Sequence, residues 1–179
     1  RVLNLLYKYS DLQVTFGVNM VAVAEGKPVQ MGLKTVIGHF IRHQKEVVTR
    51  RTQYDLAKAE ARAHILEGLI IASDNIDEVI QIVKSSKTPQ DAQRALEARF
   101  GLDELQSKAI VEMRIGQLTG LNQEKLHAEF DELMEKIKYY NQILTDDELC
   151  RKVIKDELLE IKAQYGDERR TESLPSAEE

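Results

Sequence analysis

Apolar residues recur at heptad spacing along two stretches of similar length, Leu33 to about Ser73 and Gln123 to about Tyr165, and this pattern predicts two long helices. In the second stretch, Leu126, Phe130, Leu133, Ile137, Tyr140 and Leu144 follow the alternating spacing that keeps one seam against a partner helix. The same frame continues to Ile154, Leu158, Ile161 and Tyr165. Asp147 and Arg151 interrupt it just after Thr145-Asp-Asp-Glu148, a sequence able to form a capping box, so a kink without loss of phase is expected there. The first stretch offers one good seam, Leu33, Phe40, Val47, Tyr54 and Ala61, and a half-polar one, Ile37, Gln44, Arg51, Lys58 and Ile65. Helices of about 40 residues are ~60 Å long, and two of equal length can lie antiparallel as a two-helix coiled coil.

Between the arms, strong boundary signals predict three short helices. Asn75 can cap the first, Thr88-Pro89 opens the second with Gly101 as its stop, and Asp103 opens a third running through Leu105, Ala109, Ile110 and Met113 toward Leu118-Thr-Gly120. Asn122 is placed to cap the returning arm, with Leu121 and Leu126 as a hydrophobic staple. So little backbone cannot cover Ile110, Met113, Ile115 and Leu118, and a second copy of the knob would. Before the first arm, Val2 to Tyr7 reads as helix, Val14 to Val23 as one or two short strands, and Glu25-Gly-Lys-Pro28 as a turn before Val29 to Met31.

The fold expected is therefore mainly α, a long antiparallel two-helix coiled coil with a small helical knob at its tip. Its segments are 1–32 (a short helix and strands that belong with a larger body), 33–73 (first arm), 74–122 (knob), 123–166 (second arm) and 167–179 (a flexible tail). A start at Arg1, inside an apparent helix, suggests a piece of a longer chain.

Charge sharpens the pairing of the arms. Leu33 to His64 carries seven Lys or Arg and three Asp or Glu, whereas Gln123 to Glu179 carries nine against sixteen. The basic first arm should face the acidic second one, which leaves Arg50, Arg51 and Arg62 as the candidate phosphate contacts if nucleic acid is bound instead. A net charge of −5 argues against an autonomous DNA-binding domain. No apolar run is long enough to span a bilayer, no signal peptide is evident, and a single cysteine, Cys150, fits a reducing compartment, so a cytoplasmic protein without membrane contact is expected.

Catalytic and metal-binding patterns do not assemble. His39 and His43 stand four apart, but a metalloprotease helix needs glutamate directly after the first histidine and Phe40 is there instead. His64 and His127 are isolated, and the paired acids Asp146-Asp147 and Glu178-Glu179 lie at a helix start and in the tail. There is no phosphate-binding glycine loop and no nucleophile elbow. Gly38 and Gly68, inside the first arm, call for either a close helix contact or a bend.

The run Arg50-Arg-Thr-Gln-Tyr-Asp-Leu-Ala-Lys-Ala-Glu-Ala-Arg-Ala-His-Ile-Leu-Glu-Gly-Leu69 closely resembles the first coiled-coil arm of the bacterial DNA gyrase A subunits, which are type IIA topoisomerases. So do Ala109-Ile-Val-Glu-Met-Arg114, Leu118-Thr-Gly-Leu121, Tyr165-Gly-Asp-Glu-Arg-Arg-Thr171 and Gly17-Val-Asn-Met-Val-Ala22, in the same order along the chain. Topoisomerase IV subunits share much of this, and His64-Ile-Leu-Glu-Gly-Leu69 favours gyrase. The resemblance implies an ATP-dependent enzyme that cleaves, passes and religates duplex DNA, in which the arms wall a cavity and the knobs dimerise as an exit gate. It implies a second copy of the chain, the gyrase B subunit and duplex DNA as partners of the full enzyme, with weak or no DNA binding by this segment. Ile110, Met113, Leu118 and Leu121 fall in the matching motifs and are the expected dimer contacts. No metal site and no catalytic residue is expected: the family's nucleophile is a tyrosine following an arginine, and no such pair occurs here. ATP and Mg2+ would act elsewhere in the full enzyme. A non-enzymatic coiled-coil scaffold for some other protein is the alternative.

Overall fold

The computed structural model describes residues 1–113 and 120–172, and within 120–122 the backbone alone. The chain divides into two compact units, Arg1–Gln44 and Lys45–Glu179. In the first, α1 (Val2–Tyr9) precedes a two-stranded antiparallel sheet of β1 (Val21–Ala24) and β2 (Lys27–Gln30), with Val21 opposite Gln30 and Ala24 opposite Lys27. Glu25 and Gly26 turn the hairpin with φ of 53° and 76°, the left-handed pair that matches the twist of the flanking strands. Residues 14–20, the first part of the expected strand segment, form no strand. α1 buries no residue, and Leu3, Leu6, Phe16 and Val23 are exposed.

The long helix α2 (Leu33–Asp74) begins in the first unit and runs through much of the second, where α3 (Ile76–Ser85), α4 (Pro89–Phe100), α5 (Glu104–Glu112), α6 (Gly120–Thr145) and α7 (Asp147–Tyr165) follow. The fold is mainly α, as the periodicity predicts. Local chemistry sets most of the ends. Thr88 Oγ1 accepts from Asp91 N at 3.2 Å with Pro89 in the first turn, and Gly101 stops α4 at φ 69°. Asp103 and Gln106 form a reciprocal capping box at α5. α6 begins at Gly120, so the backbone of Asn122 lies inside its first turn and not at the expected N-cap position, and its side chain lies outside the described residues.

α6 lies antiparallel to α2: Val48 packs with Ile143, Arg62 bonds Glu129, and Gln123 Nε2 donates to Ser73 O at 3.0 Å. Leu126, Phe130, Leu133, Ile137, Tyr140 and Leu144 are all half-buried, so the frame read from the second arm holds along α6. The first-arm frame does not. The buried positions of α2 are Val48, Thr52, Ala59, Ala63, Leu66, Gly68, Ala72 and Ser73, whereas Val47 and Tyr54 of the expected seam are exposed, Tyr54 by 68%. Small residues, Thr52, Ala59, Ala63, Gly68, Ala72 and Ser73, make up most of the buried face. A reading weighted by side-chain size therefore picks the neighbouring face.

The second departure is at Asp146, which caps α7 by accepting from Glu148 N at 2.9 Å and Leu149 N at 3.3 Å. Here the chain reverses; it does not merely kink. Asp147 pairs with Lys45 and Glu157 with Arg51, so α7 advances in the same direction as α2, and Leu149, Val153 and Leu158 pack on the cluster of Val48, Ile143, Cys150 and Ile154. In a straight antiparallel arm Glu157 would lie roughly 17 residues, or ~25 Å, from Arg51, beyond side-chain reach. The arm thus has a three-helix root of α2, α6 and α7. Ile161 and Tyr165, at the end of the expected seam, are exposed.

At the other end, Ala72, Val79, Leu96, Leu102 and Ile110 form the core of the knob, with Leu69, Ile71, Ile82, Phe100 and Val111 packed against it. This joins α2 to α3, α4 and α5 in one small body.

Candidate functional site

Three of the seven Lys and Arg side chains of α2 are committed to its own partner helices. Lys45 pairs with Asp147, Arg51 with Glu157, and Arg62 with Glu129 through Nε at 2.8 Å and Nη2 at 3.1 Å, a two-pronged bond that a guanidinium fork makes with a carboxylate. The bonds to Glu157 and Glu129 raise the pKa of Arg51 and Arg62 above the ordinary arginine value. A phosphate reaching either guanidinium would have to displace these carboxylates. Arg50 is exposed, on a stretch that also carries Glu46, Asp55 and Glu60. The excess of positive charge that the sequence shows on this arm is matched by the acidic helices beside it.

Where α2 enters the knob, one contact depends on the absence of a side chain. A Cβ built on Gly68 would stand 2.7 Å from Cβ and 2.9 Å from Cγ of Gln106, so only glycine lets α5 lie this close. Of the two readings open for the arm glycines, close contact applies to Gly68, while Gly38 has nothing within 4 Å of such a Cβ. Gln106, 5% exposed, donates from Nε2 to His64 O at 2.8 Å and accepts at Oε1 from Asp103 N at 3.2 Å. Asp103 accepts from Gln106 N at 2.8 Å and meets His64 Nε2 at 2.6 Å. His64, isolated in sequence, thus joins α2 to the cap of α5. Its partner lies 39 residues away, and no local spacing signals the contact.

The bond from Gln106 N, then that from His64, lowers the pKa of Asp103, and the Lys45 hydrogen bond leads the causes lowering that of Asp147. A depressed folded-state pKa adds stability that is present above the ordinary carboxylate range and lost as pH falls through the folded value. The thermal midpoint is therefore expected to fall as pH drops below about 4, and less steeply in a chain carrying Asp103→Asn and Asp147→Asn. Thermal unfolding followed by circular dichroism between pH 6 and 3 reads this directly.

An open groove of about 430 Å3 runs between α2, α5 and α6 on the knob side of the arm. Ile65, Leu69, Ala109, Met113 and Leu126 give it an apolar floor, and Arg62, Glu112, Lys125 and Glu129 a charged rim. Met113, at the C-cap of α5, is half-buried in its wall. Ile110, grouped with Met113 as a dimer contact from sequence, is 4% exposed and sits in the knob's own core, so its side chain is not available to a second copy. It lies three residues from Met113 on a short helix, and one face of that helix is taken by Ala72, Val79 and Leu96. Ile115, Leu118 and the side chain of Leu121 lie outside the described residues.

Among the described residues no three His, Cys, Asp or Glu side chains converge as metal ligands, and no helix is long and apolar enough to cross a membrane. Tyr7, Tyr9, Tyr54, Tyr139, Tyr140 and Tyr165 all lie within helices. What the described residues offer is a mixed apolar and charged groove on the knob side of the arm.

Residues 1–159 match the family model that describes the A subunits of DNA gyrase and topoisomerase IV. The DNA gyrase A subunit of Clostridium acetobutylicum is 50% identical over 170 residues, covering 95% of this chain and 20% of that protein. The gyrase A subunit of Staphylococcus epidermidis is 50% identical and that of Staphylococcus aureus 49%, each over 171 residues, 96% of this chain and 19% of theirs. The chain spans about one fifth of the length of these relatives. With the paired arms, the helical knob and a match along nearly all of its length, the chain belongs to the family of DNA gyrase and topoisomerase IV A subunits.

Proposed function

We propose that this chain is the exit-gate segment of a DNA gyrase A subunit, holding two subunits together through the knob while duplex DNA is passed and then released. The observation that carries the reading is the Met113 groove. It combines an apolar floor with a charged rim at the knob end of two paired arms, in a chain whose relatives are gyrase A subunits. An interface that must hold and yet reopen suits a modest patch of this kind better than a large dry one.

In this reading the arms supply length and the ion pairs along them tie α2 to α6 and α7, while strand cleavage belongs to a tyrosine elsewhere in the full-length protein. The gyrase B subunit, ATP and Mg2+ likewise act outside this chain. Duplex DNA is a partner of the whole enzyme, and this segment binds it weakly or not at all, because Arg51 and Arg62 already hold carboxylates. Met113→Glu puts a charge at the edge of the apolar floor and is expected to weaken self-association at least about tenfold, the penalty of burying one poorly paired charge. Light scattering across a concentration series checks it. Equal self-association of the two proteins would count against the groove as the gate surface.

A further inference from the structure

Cross-arm packing in the second unit is concentrated at its two ends. At the root, Val48, Ile143, Cys150 and Ile154 form a closed cluster across three helices, flanked by Lys45–Asp147 and Arg51–Glu157. At the knob, Leu66 is fully buried, Gly68 admits Gln106, Asp103 and Gln106 bind His64, and Gln123 holds Ser73 O. Between them, over residues 53–63, the buried side chains of α2 are Ala59 and Ala63 alone. Opposite, Phe130, Leu133 and Ile137 of α6 are only half-buried. Among the described residues the one cross-arm ion pair in this stretch, Arg62–Glu129, is exposed on both sides and is worth at most ~1 kcal/mol.

From this distribution we infer that residues 53–63 of α2 and 129–139 of α6 form a flexing neck, about which the knob and the three-helix root move as rigid bodies. Residues 159–165 of α7, beyond Leu158, are all exposed, so the third helix of the root adds few buried contacts to oppose bending in the neck. Alanines on the seam let one helix slide past the other without forcing large side chains through each other, which is how packed helices shear. The joint at Gly68 excludes the other place where the knob could swing. Rotation of α5 on α2 would break the His64, Asp103 and Gln106 bonds and bring Gln106 against another part of the helix backbone. The inference concerns the mechanics of the arm and stands whatever the knob binds.

Hydrogen exchange by mass spectrometry on the full-length protein tests it. Amides of 53–63 and 129–139 are expected to exchange about tenfold or more faster than those of 45–52 and 64–73, as less-packed segments open more readily. Uniform protection from 45 to 73, or a neck slower than its ends, overturns the inference. A second measurement uses Arg62→Cys with Glu129→Cys joined by a short bismaleimide, which should slow the neck to the rate of its ends. The same linker between Lys45→Cys and Asp147→Cys, at the root, should leave neck exchange unchanged. A neck unaffected by the first linker, or slowed equally by the second, also overturns it.

Discussion

Valine in place of Gly68 is expected to force α5 away from α2 and to destabilise the second unit by about 2–3 kcal/mol, the usual cost of overpacking a closed contact. The atom in the way is Cβ of Gln106, 2.7 Å from where a Cβ on residue 68 would stand. It cannot swing aside as a side-chain tip can, so the backbone of α5 must move. That movement also pulls Gln106 from His64 O and strains the bond between His64 and Asp103. Gly68→Ala sets the same clash against the gain of about 1 kcal/mol that alanine brings to a helix interior, and should still destabilise. Gly38→Ala meets nothing within 4 Å and should stabilise by roughly that gain. Urea unfolding of the three variants measures all of this. A stabilising Gly68→Ala would mean that α2 and α5 are not in close contact.

Leu96→Ala should cost about 3 kcal/mol, within the range for truncating a fully buried leucine. Leu96 is 0% exposed and packs with Ala72, Val79, Leu102 and Ile110, drawn from three helices and the α4–α5 connection. Its loss leaves a cavity at the centre of the knob, and the effect should appear as a lower urea midpoint with faster amide exchange in α3 to α5 and little change at the root. Ile161→Ala, on the exposed end of α7, should change stability by less than about 0.5 kcal/mol. Equal effects of the two substitutions would contradict the separation of the knob core from the root.

How much of this could be read from the sequence depended on the range of the interactions involved. Caps act within four residues, so Thr88-Pro89, Gly101 and Asp103 mark their helix ends unaided. The heptad of α6 is legible because its seam is built from large apolar residues beside charged ones. The seam of α2 is hidden because Thr52, Ala59, Ala63 and Ser73 are chosen for small size, while the larger Val47 and Tyr54 point away from it. The reversal at Asp146 is invisible to periodicity, since a helix carries its pattern unchanged whichever way it turns after a cap. Whether Lys45 meets Asp147 and Arg51 meets Glu157 is decided in three dimensions. Of the expected dimer contacts, sequence groups Ile110 with Met113 on one short helix without saying which face the knob core occupies, and it is Ile110 that faces this core.

The central claim, that the knob is a homotypic gate, is tested most directly by sedimentation equilibrium of this chain from micromolar to hundreds of micromolar concentration. The account predicts a reversible monomer–dimer equilibrium that Met113→Glu shifts toward monomer. A strict monomer across the whole range would contradict it and favour a coiled-coil scaffold whose knob binds a different protein.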